Sequence, residues 1–185
     1  FTGAILSVTQ KEQSAIYFMT GHDAAGAEQT DGRGLARLAE LLKQQNYRIA
    51  SWDALGLQPV PDDAAVLVIA GPKTGLIPAE TDRVREYLKR GGRVLALLDP
   101  VLTREATIAP TGLEPLLADY GVPLGGDLVV DQRPAGVVLL GAGMETLVLR
   151  DFPVHAITRN LGGSAVMMPI TRSVTPGLAP SGFTS

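Results

Sequence analysis

Cysteine is absent from this chain of 185 residues. Its absence excludes disulfides, thiolate metal sites and a cysteine nucleophile together. Aromatic residues are scarce, 5% against 45% hydrophobic overall, so the core has to be aliphatic, built from Leu, Val, Ile and Ala. No apolar run reaches the roughly 18–20 residues that span a bilayer. Positive charge is not in excess either. The formal net charge is −3 and the basic residues are scattered, which leaves no electrostatic footprint for nucleic acid and no polybasic segment for an anionic membrane. An initiating Met is also missing, and Phe1-Thr2-Gly3-Ala4-Ile5-Leu6 begins as if in mid-element. The expectation is a fragment of a longer protein: one α/β domain over residues 1–185, with 1–13 leading into it and 175–185 a frayed or truncated tail.

What the chain does have is a set of aliphatic runs separated by turn residues. Ala65 to Ala70 is six apolar residues without a polar interruption, followed by Gly71-Pro72-Lys73. A strand with one wet face alternates, so an unbroken run predicts a strand covered on both sides, at the centre of a parallel sheet. Ala15 to Met19 and Val94 to Leu98 read the same way, and Tyr47 to Trp52, interrupted by Arg48 and Ser51, reads as a strand nearer an edge. Leu35, Leu38, Ala39, Leu41 and Leu42 recur at helical spacing, which predicts a helix over 34–45, capped by Thr30 or Asp31 and ended at Asn46. Pro78-Ala79-Glu80 opens a second helix whose acidic residues complement the macrodipole, with Gly91-Gly92 ending it. Thr111 and Glu114 have capping-box spacing for a third. Leu128 to Val130 is expected as a short strand ended by Asp131, with later strands at 137–140, 146–149 and 165–170. Strands alternating with amphipathic helices predict a three-layer α/β sandwich with a mostly parallel central sheet, flavodoxin-like or class I glutamine amidotransferase-like.

Parallel strands place their carboxyl ends on one edge, where open α/β sheets bind ligands. His22-Asp23, Gly71-Pro72-Lys73, Asp99-Pro100 and Asp131 each follow an expected strand. They are the candidate ligand- or partner-binding residues. His22, Asp23 and Asp99 combine imidazole and hard-oxygen ligands, the chemistry of a metal-assisted hydrolase. The same residues are also what ends strands, and turn preference alone accounts for their positions. Nucleophilic catalysis lacks its parts: no cysteine, and no Gly-x-Ser-x-Gly elbow after a strand. Gly71-Pro72-Lys73-Thr74-Gly75 lacks phosphate-loop spacing, and Pro72 removes a cradle N–H. His155 is expected to pack or cap a turn, and Trp52 to fill core at the sheet edge.

Several stretches together carry a resemblance. They are Ile16-Tyr17-Phe18-Met19-Thr20-Gly21-His22, the run from Pro61 to Lys73, Tyr87 to Pro100 through Gly91-Gly92, Leu116 to Val122, Val129-Val130-Asp131, and His155-Ala156-Ile157-Thr158. In order and spacing, roughly Thr2 to Met168 resembles the extracytoplasmic domain of auxiliary proteins of gliding-motility (GldG-type) ABC transport systems. That family's first turn usually reads Gly-His-Gly-Glu, where this chain has Gly21-His22-Asp23-Ala24. The resemblance implies a fold similar to class I amidotransferases and to the related domain of intraflagellar-transport proteins, without the nucleophile. It also implies a periplasmic or extracytoplasmic domain tethered by transmembrane helices outside this sequence. Its role would be non-catalytic, beside the membrane subunits of a transporter. The strand-end rim itself is expected to contact a partner protein or a glycan or peptide ligand, with no cofactor. Pairing with a second copy is left open.

Overall fold

A computed structural model describes residues 13–32, 34–132 and 143–182. The aliphatic run at its centre is β3 (Ala64–Ala70), an inner strand of a four-stranded sheet. It lies between β1 (Ala15–Thr20) and β4 (Val94–Leu97), and β2 (Arg48–Asp53) pairs with the far side of β1. All three pairings are parallel. Register places Ile16 beside Ile49 and Val66, and Phe18 beside Val68.

Side chains alternate across a strand, so Ile16, Phe18, Val68 and Ala70 share a face. The helix α1 (Ala36–Gln44) covers it, with Leu38 and Leu42 packed on that cluster beside Leu35, Ala25 and Ala27. The other face carries Tyr17, Met19, Leu67 and Ile69, all buried. Across it runs α2 (Pro78–Lys89), which buries Val84 and Tyr87. The Tyr87 hydroxyl lies 3.1 Å from the Ala64 carbonyl oxygen and accepts the Arg93 N–H at 3.2 Å, pinning the helix to the start of β3 and to the residue just before β4. Gly92 sits so near that a Cβ there would stand 2.5 Å from the Tyr87 ring. The result is a three-layer α/β sandwich with a mostly parallel central sheet. Fully buried side chains such as Phe18 and Leu67 each contribute about 1.5–3 kcal/mol.

The helix ends show why these segments stop where they do. Asn46 adopts φ 68° after α1; its N–H reaches the Lys43 carbonyl at 2.9 Å and the Tyr47 N–H reaches that of Leu42 at 3.1 Å. That is a Schellman closure with asparagine in the left-handed position usually held by glycine. Gln13 fixes the Asn46 side chain through a 2.7 Å bond. The start of α1 differs from expectation. Leu35 is its cap, with no side-chain bond, while the Asp31 carboxylate accepts from Gln29 at 2.7 Å and its carbonyl from Gly34. The acid is engaged in the preceding turn.

The described chain divides into two compact units: residues up to Leu98 with Ala109–Leu116, and Asp99–Ile108 with residues from Leu117 onward. α3 (Glu114–Asp119) runs through this boundary. It starts on the expected capping box, with the Glu114 carboxylate accepting the Thr111 N–H at 2.9 Å and the Thr111 hydroxyl accepting the Leu113 N–H at 3.2 Å.

Two strand expectations need correction. β4 is not covered on both faces, since Leu95 and Leu97 are 44% and 41% exposed; an edge strand of the same composition as β3 cannot be told from it by sequence. Leu128–Val130 is no strand of the parallel sheet. Val129 makes an isolated antiparallel bridge with Thr171, parallel in kind to the one between Leu124 and Val174. In the second unit β5 (Thr146–Leu149) and β6 (Val166–Pro169) form an antiparallel pair, and Thr175 and Gly177 bond back to Pro123 and Gly121. The expected strand at 137–140 and the segment Thr2–Val8 lie outside the described residues.

Candidate functional site

The carboxyl ends of β1 and β3 meet in the first unit. After Thr20 the chain passes through Gly21 (φ 91°), His22 (φ 55°) and Asp23 (φ 52°), three left-handed residues in succession. Such conformations favour glycine and cost other residues roughly 1–2 kcal/mol each, so something must hold the two non-glycine residues there. Part of the answer is backbone: the His22 carbonyl accepts the Lys73 N–H at 2.8 Å and the Thr74 N–H at 3.4 Å, and the Ala70 carbonyl accepts the Ala25 N–H at 2.8 Å. The rest is the imidazole. His22 Nδ1 lies 3.2 Å from Thr74 Oγ1, and Nε2 lies 3.0 Å from Glu80 Oε2. Both the His22 and Glu80 side chains are only 7% exposed. The Nε2–Oε2 approach has ion-pair distance without the angle of a hydrogen bond.

Glu80 is held from its own side. As the third residue of α2 it accepts the Ile77 N–H at 2.8 Å, one half of a capping box whose other half is missing because Ile77 has no side-chain oxygen. The loop before it is anchored as well: Leu76 donates to the Thr111 carbonyl at 2.9 Å, and Thr81 Oγ1 donates toward Gly112 at 3.3 Å. One buried imidazole thus ties the end of β1, the turn after β3 and the first turn of α2.

Hydroxyl, imidazole and carboxylate stand in series here, an order that acyl-transfer enzymes use. The neighbouring groups speak against that chemistry. An oxyanion needs preorganised donors, and the Lys73 and Thr74 amides point instead at the His22 carbonyl. Pro72, in the turn after β3, is buried and offers no nucleophile. The arrangement works as a tether.

Of the residues singled out by sequence, the structure brings together His22, Asp23, Gly71, Pro72 and Lys73; Asp23 is exposed and Lys73 half-buried. Asp99, Pro100 and Asp131 belong to the second unit. The Asp131 N–H donates to the Met144 carbonyl at 2.9 Å, and this aspartate does not follow a strand of the parallel sheet. Among the described residues no three His, Asp or Glu side chains lie close enough together to hold a metal ion. Sequence reading missed Glu80 and Thr74 as partners of His22. Glu80 was visible only as a first-turn acid, and nothing local signals that its carboxylate turns inward. His155 caps a turn as expected, its Nδ1 accepting the Ile157 N–H at 3.2 Å, but it is exposed and does not pack. Trp52 is core: it is 3% exposed, its indole N–H donates to the Gln58 carbonyl at 3.2 Å, and Arg83 stacks on its ring at 5.6 Å.

These features define a parallel α/β sandwich whose strand-end turns are locked by a buried polar tether. The same fold occurs in the mmIFT52 N-terminal domain, at 19% identity and a TM-score of 0.61, over 87% of this chain and 68% of that one. The chain belongs to the family described as ABC-type uncharacterized transport system, whose model matches residues 13–181, and so to the auxiliary components of such transporters. No curated protein matches the sequence significantly. Among the described residues no helix is long and apolar enough to cross a membrane.

Proposed function

We propose that this domain is a non-catalytic binding and scaffolding module, and that the rim at the ends of β1 and β3 contacts a membrane subunit of its ABC transporter. The observation that carries the reading is a set of exposed apolar side chains on a rigid rim. Leu55, Leu57 and Ile77 are 63%, 93% and 56% exposed. Leu55 leans on Gly21, where a Cβ would lie 2.9 Å from its Cγ. Arg83 holds the 54–58 loop through the carbonyls of Ala54, Gly56 and Gln58. Apolar groups rimmed by charges such as Asp23 and Lys73 suit a protein contact, and a locked turn lowers the ordering cost of binding. The GldG-type resemblance supports an extracytoplasmic, membrane-tethered placement and a link to gliding motility or envelope function.

Co-purification of the full-length protein with the transporter membrane subunits tests the contact. Leu57→Asp and Lys73→Glu should each reduce recovery of the subunits, and a double variant that still recovers wild-type amounts overturns it. Titration with envelope glycans and peptides covers the other ligands for the same rim. Protease protection of the domain in intact cells checks its placement.

A further inference from the structure

The second unit carries a concave site unrelated to the strand-end rim. Its walls are the segment leaving β5, Arg150 to Val154, and the turn that follows, closing at Gly162, around a cavity of about 400 Å³. That volume lies within the range of small-molecule sites, roughly 300–1,000 Å³. The turn is internally braced. The Thr158 hydroxyl donates to the Pro153 carbonyl at 2.5 Å, the Arg159 N–H to that of His155 at 2.9 Å, and His155 Nδ1 accepts from Ile157. Arg150, Arg159 and Asp151 all line the cavity. None of these three has a side-chain hydrogen-bond or ion-pair partner among the described residues.

Arg48 pairs with Asp63 and Lys89 with Glu86, whereas Arg150 and Arg159 face one cavity with a single carboxylate, Asp151, between them. A guanidinium presents a planar fork that matches a carboxylate. The charges sum to one net positive, which suits a monoanion better than a dianionic phosphate that Asp151 would repel. Phe152, half-buried in the same wall, offers an apolar surface for the body of the ligand.

We propose that residues 150–162 form a binding site for a carboxylate-bearing ligand, engaged by Arg150 and Arg159 and flanked by Phe152. The carboxylate could be supplied by an acidic sugar or by the C-terminus of a peptide, and the test separates the two.

Amide chemical shifts of the full 185-residue chain are followed during titration with digalacturonate and with a short C-terminal peptide acid. The methyl ester of the first and the amidated twin of the second serve as neutral controls. At least one acid should give saturable shifts confined to residues 150–162, and the acid that does so identifies the source. Its neutral twin should bind about tenfold or more weakly, as should the acid with Arg150→Gln or Arg159→Gln, since a charge-assisted bond is worth about a factor of ten. Arg159→Lys should recover only part of the affinity, because an ammonium lacks the fork. Both arginines are exposed, so the variants should fold. Equal binding of acid and neutral twin, unchanged binding in both Gln variants, or no saturable shift with either acid up to about ten millimolar, a Kd corresponding to under about 3 kcal/mol, overturns the proposal. Loss of the transporter contact in rim variants bears only on the proposed function, because Leu57 and Lys73 belong to the first unit.

Discussion

Replacing Glu80 tests whether the tether holds the strand-end turn. Glu80→Ala removes the acceptor of the Ile77 N–H and leaves the buried Nε2 of His22 facing no carboxylate. Loss of a helix-start acceptor costs about 1 kcal/mol, and loss of the close carboxylate–imidazole contact in a buried setting about 1–3 kcal/mol. Because both side chains are 7% exposed, solvent screening removes little of this. The sum is about 2–4 kcal/mol, or a fall in Tm of about 4–16 °C for a chain of this size. Glu80→Gln keeps an oxygen for Ile77 and a neutral partner for the imidazole, and should cost about 1 kcal/mol. His22→Ala strands the carboxylate instead. The single and double variants with Glu80→Ala should therefore be non-additive by about 1–3 kcal/mol. Urea unfolding followed by Trp52 fluorescence is the assay: it is the only tryptophan in the chain, is 3% exposed and reports on the first unit. Glu80→Ala within about 0.5 kcal/mol of wild type, or additivity within about 0.5 kcal/mol, would refute the tether.

Gly92→Ala places a Cβ 2.5 Å from the Tyr87 ring; overpacking of this kind should destabilise by about 1–3 kcal/mol, seen in the same unfolding curves. Tyr87→Phe should cost about 1–3 kcal/mol by leaving the Ala64 carbonyl and Arg93 N–H without the hydroxyl. Asn46→Gly should lie near wild type, whereas Asn46→Ala should lose about 1–2 kcal/mol, since alanine resists φ 68°. In the second unit, bonds from the Ser173 hydroxyl and N–H hold the Asp127 carboxyl below its ordinary range. A depressed carboxylate stabilises at pH above its unfolded value and loses that contribution as pH falls through the folded one. The Ser173 amide shift should therefore stay constant at neutral pH and move only in acid below the ordinary aspartate range; movement at or above that range contradicts the pairing.

How much was legible depended on whether the physics was local. β3 was readable because an unbroken aliphatic run has few uses besides two-sided burial, and Asn46 was readable because its tolerance of the left-handed region is intrinsic. β4 has the same composition as β3, and only its place at the edge leaves Leu95 and Leu97 exposed, which no window of residues encodes. Leu128–Val130 was misplaced because three apolar residues do not specify a partner, and Thr171 lies far along the chain. At the candidate site, His22 and the Gly71–Lys73 turn could be placed from topology alone. Their dependence on Glu80 could not, since that contact joins segments whose separate sequences are ordinary: a turn histidine and a first-turn acid.

The order β2-β1-β3-β4 has a consequence for how the chain comes into being. Synthesis delivers β1 first, yet its two neighbours arrive only with Arg48–Asp53 and Ala64–Ala70. Until residue 70 is available, an almost wholly apolar strand waits with an open edge, the situation in which nascent chains recruit chaperones or pair with one another. Truncations ending between residues 53 and 64 should therefore aggregate.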